Sequence, residues 1–365
     1  MPQAIQELSR GPVDIIGDVH GELEALNKLL AHLGYDRFGR HPENRTLVFM
    51  GDLVDRGPDS PGVIEKVSSL YFSKRAQCII GNHELRLLNR INKPDNSWTS
   101  HELAQKALRN GWEAPMRVAH SLQLRAALTF FTELPMALVR PDIRLIHACW
   151  HQESIERLPH IVGSWSALFA RFRRNMNTTL KDLGWTRKRV AKLKASYPLY
   201  VGPPEVEAVP FLEDLSDYFS LEQNLNPLKV LTQGLYGHVD HKVPFWSGHR
   251  WQMSDRLKWW EEYDDSVPVV FGHYWRPRAG TLTVNLKPSL FADSKANDWI
   301  GKRKNCFCID FAVGLRFQER LNNLSPFQGS LGALRLPAFG EDKPWELVFD
   351  DGERLPIARP SSVSS

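Results

Sequence analysis

The chain is poor in cysteine: four in 365 residues, Cys78, Cys149, Cys306 and Cys308, with no CxxC pair among them. A reduced setting is therefore expected. No apolar run approaches the roughly 20 residues of a membrane-spanning helix, and the opening MPQAIQELSRGPVD has no signal-like hydrophobic core. These absences lead to the expectation of a cytoplasmic protein with no membrane partner. Neither GxxxxGK[ST] nor GxGxxG occurs, which removes support for a P-loop kinase and a simple dinucleotide-binding dehydrogenase. A large excess of one charge sign is also lacking, with 46 Lys and Arg against 42 Asp and Glu. The net value is +4, compatible with an anionic substrate without singling out nucleic acid.

What is present is enough apolar material for a large core, 42% of the residues. The short apolar runs VDIIG, TLVFMGD and QCIIGN are each followed by an amphipathic stretch, ELEALNKLLAHLG, SPGVIEKVSSLYF and HELRLLNRI. That alternation predicts strand–helix–strand units, whose ligands gather beyond the carboxyl ends of the strands. IRLIHACW and VPVVFGHYW are further strand candidates, ending in His147 and His273. Downstream, TLTVNL and NCFCIDFAVG read as strands. The Pro-rich YPLYVGPPEVEAVP reads as a linker or irregular loop, and ARPSSVSS as a disordered tail. The expected organisation is one domain over 1–345, an insertion at about 151–245 and a C-terminal tail over 346–365.

Five strand-to-loop junctions carry ligand-type residues: GDVHG (17–21), GDLVDRGPDS (51–60), GNHE (81–84), His147 and His273. In the first, successive strand residues point to opposite faces, so Asp18 and His20 share a side if the extended geometry persists. The set resembles the phosphoprotein-phosphatase branch of the calcineurin-like metallophosphoesterases, whose pattern is GDxHG, GDxVDRG and GNHE followed by two separate histidines. The resemblance covers about 1–150 and 246–315. LIHACW departs from the HGG or HAG that many members carry around the first of those histidines.

The resemblance implies an α+β fold, a four-layer αββα sandwich, here with an inserted helical segment. It implies metal-dependent hydrolysis of a phosphoric ester, in which hydroxide held by two metals attacks phosphorus in line. Asp18 and His20 would ligate one ion, Asp52 would bridge, and Asn82, His147 and His273 would ligate the second. His83 would protonate the leaving oxygen, Asp55 would orient it, and Arg56 would hold the phosphate, with Asn82 and a looser match, Arg256, beside it. Mixed carboxylate, imidazole and amide ligands suit Mn²⁺ first, with Fe or Zn²⁺ as alternatives. Two divalent ions less the carboxylates Asp18 and Asp52 leave about +2, which a phosphate dianion balances.

For the substrate, phosphoserine or phosphothreonine proteins are preferred. Dinucleoside tetraphosphates or a nucleic-acid end are the alternatives, the last because HPENRTLVFMGDLVDRGPDSPGV resembles the phosphatase module of bacterial RNA-repair enzymes. A different class, a silent module that binds phosphate without turnover, would have lost a ligand residue. Two features lie outside the motifs. Residues 171–194 carry nine basic side chains against the single acid Asp182, a face for a phosphorylated macromolecule, for nucleic acid or for solvent. Trp246, Trp251, Trp259, Trp260 and Trp275 crowd thirty residues, either as base-stacking platforms or as a wall of the fold.

Overall fold

The computed structural model describes residues 2–91, 94–111, 116–195, 209–247, 250–280, 282 and 289–360. Most of YPLYVGPPEVEAVP and TLTVNL, and the last five residues of ARPSSVSS, lie outside them. In chain order the strands are β1 (Ile5–Glu7), β2 (Val13–Ile16), β3 (Thr46–Phe49), β4 (Ala76–Cys78), β5 (Ala137–Arg140), β6 (Ile143–Ile146), β7 (Tyr236–His238), β8 (Phe245–Ser247), β9 (Arg250–Gln252), β10 (Ser254–Arg256), β11 (Val269–Phe271), β12 (Cys306–Cys308), β13 (Gly332–Leu336), β14 (Trp345–Phe349) and β15 (Arg354–Ile357). The chain divides into two compact units, one of residues 1–148, 159–165 and 260–365, the other of 149–158 and 166–259.

The first unit holds two sheets, ordered β1-β5-β6-β11-β12 and β15-β14-β13-β2-β3-β4. β2, β3 and β4 run parallel, with Ile16 opposite Phe49 and Phe49 opposite Cys78. Parallel neighbours need crossovers, and α1 (Leu23–Leu33) and α2 (Ser60–Phe72) supply them. In α1, Leu26, Leu29, Leu30 and Leu33 bury one face, and Gly34 ends the helix in the left-handed conformation, φ 93°. Asp59 caps α2 by accepting from Gly62 N at 2.7 Å.

Side chains of both sheets form one buried core, Val13, Ile15 and Leu347 from one sheet meeting Leu138, Leu145 and Val270 from the other. This is an α+β sandwich with its sheets face to face. One expectation needs correction. Residues 346–357, assigned to a tail, build most of β14 and all of β15, which continue the six-stranded sheet through Leu334↔Leu347 and Leu347↔Leu355. Alternate burial of Trp345, Leu347 and Phe349 in the core explains why WELVF pairs there instead of trailing off.

The second unit has its own small core, Leu215, Trp251 and Met253, with Trp246 packed against it. Trp246 and Trp251 meet edge to face at 5.8 Å. The basic stretch lies on helices Trp165–Asp182 and Arg187–Ala195. Phe172, Met176 and Leu180 are buried at helical spacing while Arg171, Arg173 and Arg174 are exposed.

Candidate metal centre

β2, β3, β4, β6 and β11 end together, and each delivers its ligand-type residues just past its last strand position. The junctions are held in unusual backbone conformations. His20 (φ 47°), Asp52 (47°), Asp55 (73°), Arg56 (69°) and His273 (69°) all lie in the left-handed region, where a non-glycine residue costs about 1–3 kcal/mol and persists only when its surroundings hold it. Several contacts do so. Val19 N and His20 N both donate to Asp52 O, at 3.1 and 2.9 Å, and Gly57 N donates to His20 O at 2.8 Å, so the first two motifs brace one another. A Cβ at Gly81 would collide with the Asp52 carboxylate and main-chain nitrogen, which explains a glycine there.

Asp52 Oδ2 is the hub. His147 Nε2 lies 3.3 Å from it, and His20 Nε2 and His83 Nε2 each lie 3.7 Å away. Asn82 Oδ1 is 3.2 Å from His147 Nε2. Candidate ligand atoms of Asp52, His147 and His273 fall within 4.8 Å of one another, as do those of His20, Asp52 and His83. Asp18 Oδ2 is 3.9 Å from His20 Nε2 and accepts from His273 N at 3.2 Å. All six expected ligands thus converge.

The donor chemistry fits divalent ions. His20 Nδ1 donates to Val54 O at 3.0 Å and His147 Nδ1 to Met50 O at 2.7 Å. With that nitrogen protonated, the Nε2 lone pair of each ring faces the carboxylates, as a metal ligand requires. Electrostatics points the same way. Burial, then the neighbouring Asp310 carboxylate, raises Asp18 well above the usual carboxylate range. Burial opposes a charge on His147, but Asp52 and then Asp18 outweigh it and lift its pKa to about 10. His20 is depressed to about 3 by burial and then by the Arg56 guanidinium. Such a pocket of buried acids and imidazoles is one that cations relieve.

Beside the hub sit His83, Asp55 and Arg56. His83 Nδ1 lies 2.5 Å from Asp55 Oδ2 and 2.6 Å from Arg86 Nη2, and Arg56 Nη2 comes within 3.4 Å of His83 Nε2. Arg56 Nη1 approaches His20 Nε2 at 2.8 Å, and its guanidinium lies 5.1 Å from the centre of the Trp275 ring. Arg256 belongs to the second unit, in β10 paired with β7, where its main-chain N–H bonds Asp255 Oδ1 at 2.7 Å.

Residues 11–173 match the calcineurin-like phosphoesterase family. The chain carries a calcineurin-like phosphoesterase domain. It is 54% identical over 74 residues to an asymmetrical bis(5'-nucleosyl)-tetraphosphatase PrpE of Oceanobacillus iheyensis, covering 20% of this chain and 30% of that protein. It is 33% identical over 150 residues to the PrpE of Bacillus thuringiensis, covering 40% of this chain and 60% of that protein. The chain therefore spans less than two thirds of either relative. A solved cold-active protein tyrosine phosphatase superposes with a TM-score of 0.45 at 16% identity, over 100% of this chain and 83% of that one. The family uses divalent metal ions, and among the described residues no helix is long and apolar enough to cross a membrane.

Four further residues support the centre without having been singled out in the sequence. Asn96 Nδ2 and Trp98 Nε1 donate to the two oxygens of Asp55 at 2.8 and 2.6 Å, fixing the carboxylate that holds His83. Glu84, present in GNHE but given no role, accepts from Asp52 N (2.9 Å), Leu53 N (2.8 Å) and Gly81 N (3.0 Å), and so clamps the second motif to the third. Asp310, just after β12, accepts from Ala312 N at 2.8 Å and Trp275 N at 3.2 Å, which secures the turn after His273. Only Glu84 gave a local signal, its place in the motif. The tryptophan cluster also divides: Trp260 stacks between Phe271 and Phe291 at 5.3 and 5.2 Å, and Trp275 covers Arg56.

Proposed function

We propose that this chain is a phosphoric ester hydrolase working with two divalent ions, Mn²⁺ first, and that dinucleoside polyphosphates are its substrate class. The observation that supports hydrolysis is Asp52 Oδ2 lying within 3.7 Å of three imidazole Nε2 atoms at the strand ends. Asp18, His20, Asp52, Asn82, His147 and His273 would hold the ions, with Asp52 between them. Bound there, the ions would lend positive charge to phosphate oxygens and activate water for attack.

The remaining steps fall to side chains. Arg56 presents a planar fork to two phosphate oxygens and stabilises the charge that grows on them, with Trp275 restricting its swing. His83 delivers a proton from Nε2 to the departing oxygen while Asp55 holds Nδ1. Burial, then the Arg86 charge, keeps His83 well below its usual pKa. That keeps the ring neutral in the empty site, and a phosphate dianion beside it would favour the protonated form that the transfer needs.

The relatives' names favour dinucleoside tetraphosphate over the phosphoprotein substrate expected first. Hydrolysis of phosphomonoesters remains the second reading, supported by the buried His83–Asp55 pair, since alkoxides need protonation most. Turnover of diadenosine tetraphosphate, a phosphothreonine peptide and a terminal or cyclic nucleotide phosphate by the Mn²⁺-loaded protein separates them. The highest kcat/KM is expected on the tetraphosphate. Phosphate binding with no turnover of any of these would make the chain a silent binding module.

A further inference from the structure

Positive charge is spread unevenly along this chain. Residues 171–194 carry nine Lys and Arg against one acid, whereas the rest of the chain holds 37 against 41 Asp and Glu. The whole basic excess is thus concentrated on two consecutive helices, Trp165–Asp182 and Arg187–Ala195, whose residues 166–195 belong to the second unit.

Almost none of this charge is neutralised. Arg189 pairs with Asp214 at 3.3 Å, and among the described residues the other eight have no ion pair. Elsewhere exposed arginines are matched: Arg117 with Asp59 and Glu65 at 3.3 and 3.1 Å, Arg354 with Glu346 at 2.6 Å. Arg171 and Lys194 rest on the rings of Phe172 and Tyr218, each 5.2 Å from the ring centre. That leaves Arg173, Arg174, Lys181, Arg187, Lys188 and Lys192 as exposed cations without an ion pair among the described residues.

Helical geometry gathers them. On the first helix Arg171, Arg174 and Lys181 follow at i, i+3 and i+10, opposite the buried Phe172, Met176 and Leu180, and span about 15 Å at 1.5 Å per residue. On the second, Lys188 and Lys192 stand four apart, a like-charge spacing that weakens a helix, while Leu193 packs on the core of the second unit. A polyanion relieves such an arrangement.

The chemistry of the surface selects among polyanions. A membrane-surface helix offers lipid an apolar face, but here those faces are buried in the protein itself. A protein partner would meet apolar anchors at the centre of its interface, yet among the described residues of this stretch Leu183, 54% exposed, is the one large apolar side chain on the surface. Single-stranded nucleic acid stacks its bases on open aromatic rings. Trp185, Tyr218 and Phe219 instead carry Arg189 and Lys194, at 3.9, 5.2 and 5.5 Å. The phosphate backbone of a duplex asks only for spaced cations.

We propose that residues 171–194 form a surface that binds duplex nucleic acid through its phosphates, without reading sequence. Such binding needs nothing from the metal centre.

The probe is a fluorescein-labelled DNA duplex of about 20 base pairs and mixed sequence, with unphosphorylated ends that give the metal centre no terminal phosphate to hold. Fluorescence anisotropy with the full-length chain should show saturable binding, with a Kd below about 10 μM at about 50 mM KCl. Six neutralised phosphates give log K against log salt a slope of about −5. The combined variant Arg174→Gln, Lys181→Gln, Lys188→Gln, Lys192→Gln should bind at least about tenfold more weakly, with a slope of about −2. Its circular dichroism and phosphoester turnover should be unchanged. The exposed set Arg37→Gln, Lys74→Gln, Lys106→Gln, Lys302→Gln removes the same charge elsewhere and should change affinity by no more than about threefold. No saturable binding, or equal losses in the two variants, would overturn the proposal. So would an oligothymidylate of the same length, poly-glutamate or phosphatidylserine vesicles competing better than the unlabelled duplex, since each would assign the surface to another partner.

Discussion

His83 carries two competing assignments, and the distances explain why. Its Nδ1 is bound to Asp55 at 2.5 Å, as a proton donor needs, yet its Nε2 is as close to Asp52 Oδ2 as that of His20, 3.7 Å in both cases. If it is the acid, His83→Ala keeps its metals and loses about 10²–10⁴-fold on alkyl phosphates. It should lose about tenfold less on p-nitrophenyl phosphate, whose leaving group departs as an anion. Equal losses on both esters, or loss of metal, would make it a ligand. The convergence of this residue with the six candidate ligands was legible because each follows on a short apolar strand, within a motif a few residues long. Asn96 and Trp98 were not. They reach Asp55 across 41 and 43 residues, a relation that only folding creates, and neither sits in a distinctive local pattern.

Among the elements, β2 shows how a run that reads as apolar conceals a polar hub. Asp14 in VDII is fully buried, and its carboxylate accepts from Tyr35 Oη at 2.7 Å, Arg45 Nη2 at 2.8 Å and Arg335 Nε at 3.0 Å. Arg45 Nη2 also donates to Val13 O and Leu336 O, at 2.7 and 2.8 Å, bridging the ends of β2 and β13. Burial, then the Asp14 charge, raises the Tyr35 phenol, which stays a neutral donor. Asp14→Ala would leave Arg45, whose side chain is 8% exposed, with only the longer contact to the exposed Glu43 carboxylate at 3.4 Å. Removing one partner of a buried pair costs about 3–5 kcal/mol, and urea unfolding should show a loss of that size. A loss under about 1 kcal/mol would mean that the carbonyls and Glu43 suffice to hold Arg45. The parallel half of this sheet was readable from alternating strand and helix patterns. β14 and β15 were not, since their apolar positions matter only once β13 offers an edge and the facing sheet a core.

Across the whole molecule, fold, metal and proton are linked. Asp18 is raised above the usual carboxylate range and His147 lies near 10, so at neutral pH His147 holds a proton that a cation must displace, whereas His20, near 3, is already neutral. Metal affinity should therefore rise with pH up to about 10, by about tenfold per unit for each proton displaced. Calorimetry of Mn²⁺ binding in buffers of different ionisation enthalpy counts those protons. A buffer-independent heat would contradict the protonation assigned to His147. The most direct test of the proposed two-metal centre joins metal content to turnover in Asp52→Asn, because Asp52 is shared by the two candidate ligand groups among the described residues. Elemental analysis should give about two divalent ions per wild-type chain, and clearly fewer in the variant, with phosphoester hydrolysis falling in parallel. A variant with its full metal content and wild-type turnover would contradict the account at its centre.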